Sequence, residues 1–201
     1  MASLDKHDIL LYVIIAFVLF VGIKMYSESD IYNLKCVISG VDGERYCVRE
    51  RQKLKPAADL LAKVTAKCKE LVAYCGQKYP DDENVQRLVQ NFNPKTISET
   101  LPTSEHTAYS ENKGEKIAFC LNKQKEGTKL IDINTLTFVA FHELAHIMTK
   151  TEGHLREFWS NFKFLLVNAK EANILDPVDF KKKPKDYCGM TITDNPYYDF
   201  N

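Results

Sequence analysis

No sign of charge predominates in this chain, which sets 27 lysines and arginines against 27 aspartates and glutamates over 201 residues. Nucleic acid is bound largely through an excess of cations, so the balance argues against it as the main partner. Cysteine pairs at the two-residue spacing of a zinc knuckle or a dithiol redox motif are missing too, although there are six cysteines. Internal repeats and low-complexity tracts are likewise absent, which argues against a solenoid. What remains is 45% hydrophobic and 27% charged, a composition suited to one folded domain with appendages.

The cysteines give little more. Cys68 and Cys75 are seven apart in a helical pattern, so their Cα atoms should lie roughly 10 Å apart, too far for a disulfide. Cys36 and Cys47 can pair across the short ISGVDGERY loop. Cys120 and Cys188 have no obvious partner, and buried thiols are the expectation overall.

One long apolar run stands at the N-terminus. ILLYVIIAFVLFVGI, residues 9–23, carries no charge and is bracketed by Asp8 and Lys24. With Met25 and Tyr26 it approaches the length needed to cross a hydrocarbon layer of about 30 Å. Lys24 can snorkel, and Tyr12 and Tyr26 suit a membrane interface. No small-x-small cleavage site follows, so residues 9–26 are expected to anchor the chain in a lipid bilayer rather than to be removed. Residues 1–8 form a short tail. The lysines and arginines that follow the run lean toward a cytoplasmic C-terminal domain, with the opposite orientation left open.

Residues 27–55 read as a linker or a short hairpin turning at SGVDGE. From Pro56 a helix is expected to about Gly76, burying Leu60, Leu61, Val64, Cys68, Leu71, Val72 and Cys75. DDENVQRLVQNF predicts a shorter helix stopped by Pro94. HTAYS and KIAFCLN flank ENKGE and predict a β-hairpin, and LIDI a further short strand. Asn134 or Thr135 can cap a helix running to about Lys150. A second helix is expected to start near Thr151 to His154, with Phe158, Phe162, Leu165, Leu166 and Ala169 inward. CGMTIT suggests a last short strand. Fold class is therefore α+β: a mostly helical domain over 56–201, with a small sheet ahead of the helix that carries the chemistry, plus the N-terminal span.

That chemistry sits in FVAFHELAHIM, residues 138–148. Unpartnered histidines and a glutamate in a core-like helix cost about 1–3 kcal/mol each, so they need a partner. His142 and His146 are four apart and share one helix face, so both imidazoles can reach one ion. Glu143 projects beside them, suited to take a proton from an attacking water rather than to ligate. The expected partner is Zn²⁺, which in catalytic sites uses three protein ligands. Candidates for the third are Glu152, His154, Glu157 and Glu171. His154 is preferred because Gly153 lets the chain turn before it; Glu171 is the runner-up.

HELAHIMTKTEGHLREFW resembles the zincin metallopeptidases, nearest to the WLM and SprT-like group. The resemblance implies His142, His146 and His154 as zinc ligands, Glu143 as general base, and hydrolysis of peptide bonds in a protein or peptide substrate. The Gly153-His154 order and the interval after His146 differ from the WLM pattern. YSENKGEKIAFCLN and KKPKDYCGMTITDNP make the soluble region similar to uncharacterised membrane-anchored metallopeptidase-like proteins of large DNA viruses of algae and protists. That likeness implies a viral protein in a host or virion membrane.

In zincins an edge strand binds extended peptide beside the active-site helix, and residues 116–122 stand in the right order for it, with a buried core strand the alternative. Tyr109, Tyr187 or His106 could donate to an oxyanion, with none preferred. Two rival functions follow. One is a latent zincin-like scaffold or interaction protein; the other is a protease acting on DNA-associated proteins, which the anchor and the charge balance oppose. No nucleic-acid partner is expected.

Overall fold

The computed structural model describes residues 6–27, 34–101, 103–125 and 127–199. Of the expected appendages, residues 1–5 of the tail and 28–33 of the linker lie outside them.

Helix α1, Lys6–Ser27, contains the apolar run; its stretch Ile9–Tyr26 is long and apolar enough to cross a membrane, and none of it is buried against protein. A helix apolar all round, with no polar face toward water, needs lipid or protein cover.

The rest of the described chain mixes helices and strands, as expected of an α+β chain. Strands β1 (Leu34–Ile38) and β2 (Arg45–Arg49) form an antiparallel hairpin in which Cys36 faces Cys47. These two are disulfide-bonded. The hairpin's turn is fastened to the next helix, where Asp59 accepts from the Ser39 hydroxyl at 2.8 Å and the Gly40 amide at 2.7 Å.

Helix α2, Leu54–Lys78, is the centre of the core and packs on β1, β2 and three other helices. Leu61, Val64, Cys68, Leu71 and Cys75 recur at helical spacing and are all buried. Helix α3, Glu83–Asn91, starts at Asp82, whose carboxylate caps the Asn84 and Val85 amides at 2.8 and 3.0 Å.

The small sheet has the order β3 (Ile97–Glu99), β5 (Lys116–Phe119), β4 (Ala108–Glu111), with β3 parallel and β4 antiparallel to β5. The hairpin expected around Gly114 is thus present. The strand most like a core strand, β5, occupies the middle, and Ile117, Ala118 and Phe119 are each at most 1% exposed. β5 is therefore no edge; the antiparallel edge is β4. β3 has no clear sequence signal, being three residues held by parallel pairing and by Glu99. LIDI makes a single bridge, Asn122 to Leu130, rather than a strand.

Helix α4, Ile133–Met148, lies against β4 and β5, and α5, Arg156–Glu171, packs on α4 and α2. The cap of α4 is Asp132, not Asn134 or Thr135: its carboxylate accepts from the Thr135 amide at 3.0 Å and hydroxyl at 2.8 Å. Asp132, two residues before Asn134, meets the same requirement with a stronger acceptor.

A last hairpin, β6 (Lys185–Tyr187) and β7 (Met190–Ile192), turns at Cys188 and Gly189, both at positive φ as a two-residue hairpin requires. Cys188 is bonded to Cys120. The expectation of a thiol at each is corrected: 68 residues of separation hid the pair from local reading. Cys68 and Cys75 are free and buried, as expected.

Candidate metal centre

Helix α4 is buried nearly all round, with Leu136, Ala140, Phe141, Leu144, Ala145 and Ile147 each at most 1% exposed. His142 and His146 occupy its half-buried stripe, ring centroids 5.0 Å apart. The chain leaves α4 at Thr149, turns through Gly153 at φ +75°, and presents His154 from the loop before α5. His154 thus precedes the second helix rather than opening it, because Leu155 is the cap residue. The three imidazoles converge, with one ligand atom of each lying within 4.8 Å of the others. His154 Nε2 is 3.0 Å from His142 Nε2.

Phe158, fully buried, is the floor of this cluster. Its ring centroid lies 4.8 Å from His142, 4.3 Å from His146 and 4.6 Å from His154. Trp159, the next residue, is 46% exposed on the outer face, near His154 alone of the three. Two neighbours on a helix point about 100° apart, so only one can face inward.

Burial and mutual repulsion hold His142 and His146 neutral. The pKa of His142 falls to about 3, first through burial and then through the adjacent His146 and His154. That of His146 falls to about 4, chiefly through burial. Neutral imidazoles with free lone pairs are what a metal ligand must be, and a tetrahedral ion with bonds of about 2.0–2.1 Å would separate its nitrogens by roughly 3.4 Å. The three-imidazole donor set could hold a metal ion such as zinc, and the His142–His154 pair stands close to that separation. Glu143, beside the pair and 4% exposed, has its carboxyl pushed up to about 8 by burial.

The other candidate ligands are engaged elsewhere. Glu171 pairs with Lys78 at 2.6 Å at the far end of α5, because sixteen residues of helix carry it away from the cluster. Glu152 pairs with Lys113 at 3.2 Å. Glu157 accepts from the Lys150 and Thr151 amides at 3.1 and 3.2 Å and from the Thr151 hydroxyl at 2.9 Å. Among the oxyanion candidates, Tyr187 is 2% exposed and donates to the Thr107 carbonyl at 3.1 Å. Burial and the charge of Glu143 push its phenol up. His106 is exposed, and Tyr109 is half-buried on the edge strand with the His106 ring 6.1 Å away.

Sequence reasoning missed the residues that hold the loop between the second and third histidines. Arg87 donates to the Met148 carbonyl at 2.7 Å, Asn161 to the Thr149 hydroxyl at 2.9 Å, and Lys113 to the Thr149 and Thr151 carbonyls at 3.0 and 2.9 Å. The Asn-Lys-Gly turn was visible as a turn, but nothing local shows which helix it touches.

No protein-family profile matches this chain, and no solved structure matches it. It is 28% identical to an uncharacterised protein of Acanthamoeba polyphaga mimivirus over 190 residues, covering 92% of this chain and 93% of that protein. Shorter stretches resemble two uncharacterised proteins of invertebrate iridescent viruses: 35% identity over 74 residues in invertebrate iridescent virus 6, covering 36% of this chain and 40% of that protein, and 33% over 88 residues in invertebrate iridescent virus 3, covering 43% and 52%. The chain is thus similar along nearly its whole length to that mimivirus protein.

Proposed function

We propose that the chain is a membrane-anchored viral zinc metallopeptidase of zincin type. The observation that carries this reading is the convergence of His142, His146 and His154 beside the buried Glu143. The three histidines would hold the ion. Zinc in such a site supplies Lewis acidity toward a carbonyl and lowers the pKa of water toward neutrality.

The chain's own residues do the rest. Glu143, on the face next to the histidines, receives the proton of the attacking water and delivers it to the leaving amine. Burial raises its carboxyl in the metal-free chain, and a cation held by the histidines would draw it back toward the ionised form that accepts a proton. Phe158 keeps the three rings packed from below and excludes water from that side. The peptide would pair with β4, the antiparallel edge of the sheet beside α4, with backbone hydrogen bonds giving affinity independent of sequence.

Helix α1 serves as the anchor in this reading. Two disulfides support placing the domain on an oxidising side of the membrane or on a virion surface, against the lean of the lysines and arginines.

The test is zinc content and casein cleavage by the detergent-solubilised chain. Wild type and Glu143→Gln should each hold one zinc with cleavage in wild type only, and His142→Ala should lose both. A wild type without zinc sinks the reading. Zinc in both with cleavage in neither favours the second reading, a latent site, to which the low exposure of Glu143 lends weight.

A further inference from the structure

The hairpin turn between β4 and β5 is built in an unfavourable way. Asn112, Lys113 and Gly114 all take positive φ, at +46°, +57° and +115°. For a lysine the left-handed region costs about 1–2 kcal/mol, and such strain persists only where the surroundings impose it. Here they do. Gly114 is pressed so closely against the Asn91 carbonyl and Ile147 of α4 that a Cβ would lie 2.5 Å from that oxygen.

The result is that Lys113 is aimed at the C-terminal end of the site helix. Its ammonium donates to the carbonyls of His146 at 3.4 Å, Thr149 at 3.0 Å and Thr151 at 2.9 Å, and pairs with Glu152 at 3.2 Å. The last carbonyls of a helix lack intrahelical partners and carry the negative end of its dipole, so a cation there is favourable. The loop they begin is the one that places the third histidine. Glu157 and Asn161 of α5 and Arg87 of α3 hold the same loop from the helical side. Gly153 has nothing within 4 Å of a built Cβ, so local packing does not fix the turn into His154.

We propose that Lys113 is a positioning residue: from the sheet side it locks the loop between His146 and His154, and so sets the geometry in which the three imidazoles meet. This rests on the metal reading above. It also ties the edge strand β4 and the histidines into one unit, because the turn that carries Lys113 is the end of that strand.

The test uses the full chain in detergent, with zinc affinity measured by chelator competition and the visible absorption of the Co²⁺-substituted protein as a reading of ligand geometry. Lys113→Met is expected to weaken zinc binding about tenfold and to shift and weaken the Co²⁺ bands, and Lys113→Arg to recover most of both. Glu152→Gln, which leaves the three carbonyl bonds, is expected to keep the wild-type spectrum. Should Lys113→Met not fold, Lys113→Gln carries the same expectation. A folded, less stable Lys113 variant with wild-type affinity and spectrum overturns the proposal, since it shows a role in the fold alone. A wild type that binds neither metal overturns the metal reading and this proposal together, whereas wild-type binding unaffected at Lys113 overturns only the latter.

Discussion

Gly114→Ala is the substitution whose cost can be worked furthest from the structure. The added methyl would stand 2.5 Å from the Asn91 carbonyl oxygen and 3.3 Å from Ile147 Cδ1, where a carbon and an oxygen need roughly 3.3 Å. Something must move by close to an ångström, and the oxygen belongs to backbone at the end of α3. Forcing such a shift costs about 1–3 kcal/mol, and holding alanine at φ +115° about 1–3 kcal/mol more. A total near 4 kcal/mol lowers the urea midpoint by about 2 M if the slope is on the order of 2 kcal/mol/M. Gly43→Ala is the matched control: φ is +74°, but nothing lies within 4 Å of its Cβ, so only the conformational cost of about 1–2 kcal/mol applies. Chemical denaturation of both variants in the same detergent measures the difference. Equal midpoints for the two would refute the close approach and the argument that this turn is clamped onto α4.

Three other outcomes are expected. Glu99, 1% exposed, accepts from the Arg49 amide at 2.8 Å and pairs with the Arg51 guanidinium, so Glu99→Ala strands buried cations and should cost about 3–5 kcal/mol by the same assay. Cys188→Ser opens a loop closed over 68 residues and should cost about 4 kcal/mol; a change below 1 kcal/mol would mean that the bond does not form in solution. In the metal-free chain, stability should peak near pH 6.5. His142 and His146 titrate near 3 and 4 rather than 6.5, so their contribution is complete above pH 6.5 and is lost as pH falls. Glu143 titrates near 8 rather than 4.5, so its contribution is complete below 4.5 and is lost as pH rises to 8. Thermal melts should show the decline between pH 6.5 and 8 vanish in Glu143→Gln; a decline that persists would assign it elsewhere.

The elements legible in the sequence were those whose signal is local. The apolar face of α2, the Asp-capped α3 and the histidine spacing on α4 each depend on residues within a turn or two of one another. The convergence of His154 on the pair was also readable, because only seven residues, the last of them Gly153, separate it from His146. What escaped depends on distance along the chain. β3 exists only because β5 pairs with it, Cys120 finds Cys188 through the tail hairpin, and Lys113 matters only once α4 lies behind its turn. Glu171 looked usable because helical spacing says nothing about which end of a helix faces a site.

The two unbonded cysteines turn this chain into its own unfolding clock. Cys68 and Cys75 are at most 1% exposed in the middle of α2, and burial pushes both thiols up to about 12. At pH 8 only about one in ten thousand such groups is thiolate, and none meets reagent while α2 stays packed. With the other four cysteines bonded, alkylation reports the opening of the central helix and little else. The slowing of that reaction by added zinc then measures metal affinity without any substrate in hand.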